Sequence, residues 1–61
     1  MPARTLTVLE HQVNDLIAHR AMTAHDVAAR LNLPPKRARG LLVRLEGRGL
    51  AEYLDGRWSR A

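Results

Sequence analysis

Residues 34–48, PPKRARGLLVRLEGR, read as a single helix with two different sides. Ala38, Leu41, Leu42 and Leu45 fall at i, i+3, i+4 and i+7, which lines one side of a 3.6-residue helix with apolar groups. A rotation of about 100° per residue carries Lys36, Gly40, Val43 and Gly47 to the opposite side. Arg39 borders that side on one edge, and Arg37 and Arg44 on the other. Proline suits the first helical position, where its missing N–H would be unpaired anyway. The pattern predicts a helix over about 35–47 with leucines inward and cations outward. It should end near Gly47-Arg48-Gly49, where glycine can take the left-handed C-terminal conformation.

Upstream, two shorter helices are expected. Thr7-Val8-Leu9-Glu10 fits a capping box, and Leu9, Val13, Leu16 and Ile17 form the apolar stripe of a helix over about 8–20. Residues 1–6 read as a lead-in, with Arg4 as a loose phosphate contact. Ala21-Met22 is too short for a helix and suits a single extended link. Thr23 begins a second cap with Asp26 three residues on, opening a helix over about 24–31 that turns Val27, Ala28 and Leu31 inward. Asn32-Leu33-Pro34 makes the turn, because asparagine tolerates left-handed geometry and proline disfavours helix in the residue before it. Leu33 is the expected apolar plug. A short helix, a three-residue turn and a basic amphipathic helix together make a helix-turn-helix.

Downstream, two short extended runs over about 50–60 flank Asp55-Gly56, a strong signal for a two-residue hairpin turn. That register sets Tyr53 opposite Trp58 as a cross-strand aromatic pair. Leu50 and Leu54 fall on one face, and Ala51, Tyr53 and Trp58 on the other. Leu50 reads as core, while the alternation leaves Leu54 undecided.

Composition narrows the function. A chain of 61 residues buries only about 60% of its unfolded surface, so stability is marginal and no room remains for a cofactor pocket with its scaffold. Without cysteine there is no disulfide or thiolate zinc site. No apolar run reaches membrane-spanning length and no signal peptide is recognisable, so the expected location is the cytoplasm. The net charge of +4 is unevenly spread. Residues 1–33 are neutral, with three arginines against three acids, and residues 34–61 carry the whole excess. A basic face on a neutral body suits a polyanion. No catalytic constellation, phosphate-cradling glycine loop or paired carboxylate is present, so an enzyme is not expected.

Three helices followed by a short hairpin, carried by TAHDVAARLNLPPKRARGLLVRLEGRGLAEYLDGRWSR, resemble the winged helix-turn-helix superfamily. Within it, VAARLNLPPKRARGLLVRLEGRGLAEYLDGRW looks most like the C-terminal winged-helix domain of DprA/Smf-type DNA-processing proteins and like small bacterial regulators. The resemblance implies a mainly α fold with a small β-hairpin, and binding of double-stranded DNA by a transcriptional regulator or by a module of a larger parent protein. Z-DNA-binding domains share the hairpin and a wing tryptophan, matched by Trp58. Their third helix carries lysine, asparagine and tyrosine where Pro35, Arg39 and Val43 stand, so specificity for the Z form is not expected.

In this reading the third helix enters the major groove. Lys36 and Arg39 are the candidates for base edges, and Arg37, Arg44 and Arg57 for phosphates. Gly40 admits close backbone approach, Val43 meets a thymine methyl, and Arg60 joins Arg57 on the wing. The plainer alternatives are a solvated basic face and a scattered surface valine. Trp58 reads as packing rather than base stacking. His11, Asp15 and His19 recur at four-residue steps, but without cysteine or an acidic cluster they read as a polar stripe facing solvent or a second copy of the chain. No metal or cofactor is expected. The competing function is a protein-interaction module built on the same scaffold.

Overall fold

The computed structural model describes residues 6–61. The readings of residues 1–5 and of Arg4 therefore lie outside the described residues. The order is α1 (Val8–His19), α2 (Ala24–Leu31), α3 (Pro35–Gly47), β1 (Ala51–Leu54) and β2 (Arg57–Arg60). This is a winged helix: three helices and one antiparallel two-stranded hairpin.

Local chemistry explains where each element begins. The Thr7 N–H donates to Glu10 Oε1 at 2.9 Å, and the Glu10 N–H donates back to Thr7 Oγ1 at 3.2 Å. Thr23 and Asp26 repeat the arrangement at 3.5 and 3.0 Å. Each box satisfies donors that a helix start leaves free and puts a carboxylate at the positive end of the helix dipole. α1 stops one residue before the expected Arg20, which is an extended C-cap with φ −165° and ψ 153°. That conformation turns the chain directly into the Ala21-Met22 link.

α2 and α3 end by the same device. Asn32 is left-handed (φ 58°), and the next residue, Leu33, donates its N–H to the Ala28 carbonyl at 2.9 Å. Gly49 is left-handed (φ 76°), and Leu50 donates to the Leu45 carbonyl at 2.9 Å. These are the 6→1 bonds of a Schellman closure, which pair carbonyls that the helix end would otherwise orphan. Leu33 and Leu50 are the apolar residues that follow, and both pack against the core half-buried. Leu50 thus serves the end of α3, and β1 begins at Ala51 rather than at the expected position 50.

The core is one cluster: Val13 and Ile17 from α1, Val27 and Ala28 from α2, Ala38, Leu41, Leu42 and Leu45 from α3, with Met22, Ala51 and Trp58. All four residues of the inward stripe of the 34–48 stretch, Ala38, Leu41, Leu42 and Leu45, are buried. Asp55 (φ 52°) and Gly56 (φ 80°) form the hairpin turn, with positive φ at both central positions as a type I′ turn requires. The register is Tyr53 with Trp58 and Leu54 with Arg57, and the aromatic centroids lie 4.8 Å apart at 50°.

The extended link has a definite partner. The Met22 N–H donates to the Trp58 carbonyl at 2.9 Å, and the Trp58 N–H returns a bond to the Met22 carbonyl at 2.7 Å. This bridge seats Trp58, only 6% exposed, between the link and β1. Tyr53, directly opposite Trp58 on β1, stays half exposed, and Leu54 is 63% exposed.

Candidate nucleic-acid interface

The outward side of α3 carries Lys36, Arg37, Arg39, Gly40, Val43 and Arg44, all exposed. No side chain caps this helix, whose N-cap is Pro34, and its first turn holds no acid. α1 and α2 each place a carboxylate there. Lys36 and Arg37 instead stand at the positive end of the α3 dipole, where a cation is disfavoured by about 0.3–1 kcal/mol. An anion on this face would relieve both effects. Gly40 contributes open backbone: a Cβ built there meets nothing within 4 Å. Val43, 48% exposed, is the apolar centre of the face.

The two edges of α3 have different neighbours. On one edge, Arg39 and Val43 line a groove of about 320 Å³ with Glu46, Ala24, and Tyr53, Gly56 and Trp58 of the hairpin. On the other edge, Arg44 Nε lies 3.8 Å from Glu10 Oε2, and Arg48 Nη1 lies 3.7 Å from Glu10 Oε1. Glu10 is 5% exposed, a buried charged residue that closes the α1 capping box and faces both arginines. The bond from the Thr7 N–H holds its carboxyl below the usual range, opposed by burial and assisted by Arg48, Arg44 and the Thr7 hydroxyl. The Arg44 side chain remains 76% exposed, so its long ion pair leaves most of the guanidinium in water.

The expected contact residues therefore form groups rather than one patch. Arg39 and Val43 meet the wing, and Arg44 leans towards α1. Arg57 lines a separate cleft with Arg20 and Arg30. Arg60 pairs with Ala51 at the base of the hairpin, away from its tip. Sequence reasoning did not single out Tyr53 as a groove wall, Glu10 and Arg48 as an ion-paired cluster, or Arg20 and Arg30 beside Arg57. Only the Tyr53–Trp58 register offered a signal for any of these. His11, Asp15 and His19 are exposed, and among the described residues no group of three or more His, Cys, Asp or Glu could hold a metal ion. Among the same residues no helix is long and apolar enough to cross a membrane.

Comparison with known proteins agrees with this architecture. A solved structure described as "PigF with SAH" superposes with a TM-score of 0.75 at 28% identity, over 87% of this chain. The chain spans 16% of the length of that protein. None of the curated proteins compared with the chain matches it. The family model of the DprA winged helix domain matches residues 1–57, and the chain belongs to that family.

Proposed function

We propose that this winged helix binds double-stranded DNA with α3 in the major groove and the hairpin on the adjoining backbone. The observation that carries this reading is the outward face of α3. It has exposed cations at a helix N-terminus without an acid, a backbone left open at Gly40, and an apolar centre at Val43. Lys36 and Arg39 reach base edges, and Arg37, Arg44 and Arg57 take phosphates, with Arg60 behind them on the wing. Arg44 makes its contact while still paired with Glu10, which orients the guanidinium. The domain acts without catalysis, in the cytoplasm, as a small transcriptional regulator or as the DNA-binding module of a larger protein. Belonging to the DprA winged helix domain family supports a module of this kind, as does matching a small part of a longer solved chain.

Fluorescence anisotropy with a random-sequence duplex, titrated from low to moderate salt, tests the proposal. Affinity that falls linearly on a log–log plot of binding constant against salt is the expected result. Absence of binding at low salt refutes it. The exposed Val43, Tyr53 and Leu54 favour a second reading, a protein-docking face. That reading requires a partner whose affinity depends little on salt and survives replacement of Arg39 and Arg44.

A further inference from the structure

Three arginines that no helical or strand periodicity connects meet in one cleft. Arg20 comes from the C-cap of α1, Arg30 from the last turn of α2 and Arg57 from β2. The cleft has a volume of about 250 Å³, and Met22 and Ala29 also line it. All three arginines are exposed. Among the described residues the only ion pairs are those of Arg44 and Arg48 with Glu10, so these three guanidiniums have no carboxylate partner. Asp26 is the one acid at the cleft, and its carboxylate accepts the Thr23 N–H in the α2 capping box. Three fixed positive charges therefore face one negative charge. The planar forks suit the paired oxygens of a phosphate group.

We propose that this cleft binds a backbone phosphate of the duplex, so that the DNA footprint continues past the wing to the α1–α2 junction. The proposal rests on the DNA-binding reading above and adds Arg20 and Arg30 to its contacts. The fold supplies the continuity. Trp58 lines the groove beside α3, Met22 lines the cleft, and the two are joined by the backbone bridge. α2 also walls both, through Ala24 on one side and Asp26, Ala29 and Arg30 on the other. Arg57 stands one residue from the hairpin turn, placed to lead a strand of the duplex from one depression to the next.

The test is the salt dependence of duplex binding for the parent domain, R20Q/R30Q and R20K/R30K, with folding checked by circular dichroism. Each phosphate contact contributes about 0.9 to the log–log slope. R20Q/R30Q should lower the slope by about 1 unit, and R20K/R30K should keep it. An unchanged slope in R20Q/R30Q, with the parent domain still binding, overturns the cleft and leaves the DNA-binding reading standing. Loss of slope in both variants, with folding intact, also supports the cleft, the planar fork and not charge alone then holding the phosphate. A parent domain that does not bind duplex refutes the DNA-binding reading itself. Titration with inorganic phosphate, followed through the arginine Nε–Hε resonances, then decides the cleft. Shifts at Arg20, Arg30 and Arg57 larger than those at Arg39 retain it as a site for a free phosphate group, and their absence removes it.

Discussion

Replacing Gly40 with alanine separates what the fold needs from what the interface needs. Gly40 lies within the thirteen-residue α3 on its exposed side, and the added Cβ meets no atom within 4 Å. No steric penalty arises, so intrinsic propensity decides the sign. Glycine inside a helix is less favourable than alanine by about 0.8–1.0 kcal/mol, chiefly through the backbone freedom of the unfolded chain. Gly40→Ala should therefore stabilise the free domain by about 1 kcal/mol, raising Tm by about 4–8 °C for a domain this small. Total stability for a chain of this length is about 3–9 kcal/mol, so the gain is easily resolved by urea or thermal melts followed by circular dichroism. Duplex affinity should move the other way. If the groove wall approaches the α3 backbone at this point, the methyl holds it off, and a loss of about tenfold, or 1.4 kcal/mol, is expected by anisotropy. A variant that is more stable and binds as tightly as the parent refutes close approach at Gly40. A variant that is less stable refutes the reasoning about the helix itself.

Arg39→Ala should weaken duplex binding and, where it reads a guanine, cost about 1–3 kcal/mol while relaxing specificity at that base. Equal losses across a panel of duplex sequences would make it a phosphate contact instead. Glu10→Gln should flatten the acid limb of stability. The Glu10 carboxyl titrates below its ordinary value of 4.5 in the folded chain, so its contribution is complete above that value and disappears as pH falls through the lowered one. Urea midpoints compared between neutral and strongly acidic pH should converge for parent and variant at the acid end, and a constant gap would contradict the assignment. Leu42→Ala removes a fully buried side chain at a cost of about 2–5 kcal/mol, a large share of the total, which should lower the urea and thermal midpoints sharply by circular dichroism. Near-parental ellipticity and melting would refute the burial argument.

Local chemistry made the helices and the turn readable. Thr7–Glu10 and Thr23–Asp26 announce helix starts within four residues, and Asp55-Gly56 fixes a hairpin because few residues accept positive φ twice in succession. The leucines of α3 declare their face by spacing alone. What could not be read is whatever depends on two distant segments. Glu10 looks like a cap and nothing more until α1 docks on α3 and brings Arg44 and Arg48 to its carboxylate. The boundary at Ala51 is a local matter instead: Leu50 donates to the Leu45 carbonyl and closes α3, so the strand begins one residue later. Alternation alone leaves Leu54 open, and the structure exposes it beside the hairpin turn. Arg57 read as a wing contact, and only topology places it beside Arg20 and Arg30.

The Met22–Trp58 bridge governs how the wing can move. Two reciprocal backbone bonds anchor the centre of the hairpin to the stretch between α1 and α2, and the indole beside them is enclosed by the core. The hairpin is thus a lever pinned near its middle. Beyond the pin, only Leu54 to Arg57 can flex to follow a surface. Behind it, any larger swing must break both bonds and withdraw the indole, which opens the helical body as well. The amides of Met22 and Trp58, though one lies outside every regular element, should exchange with solvent as slowly as those of α3, and a wing that detaches is a domain that unfolds.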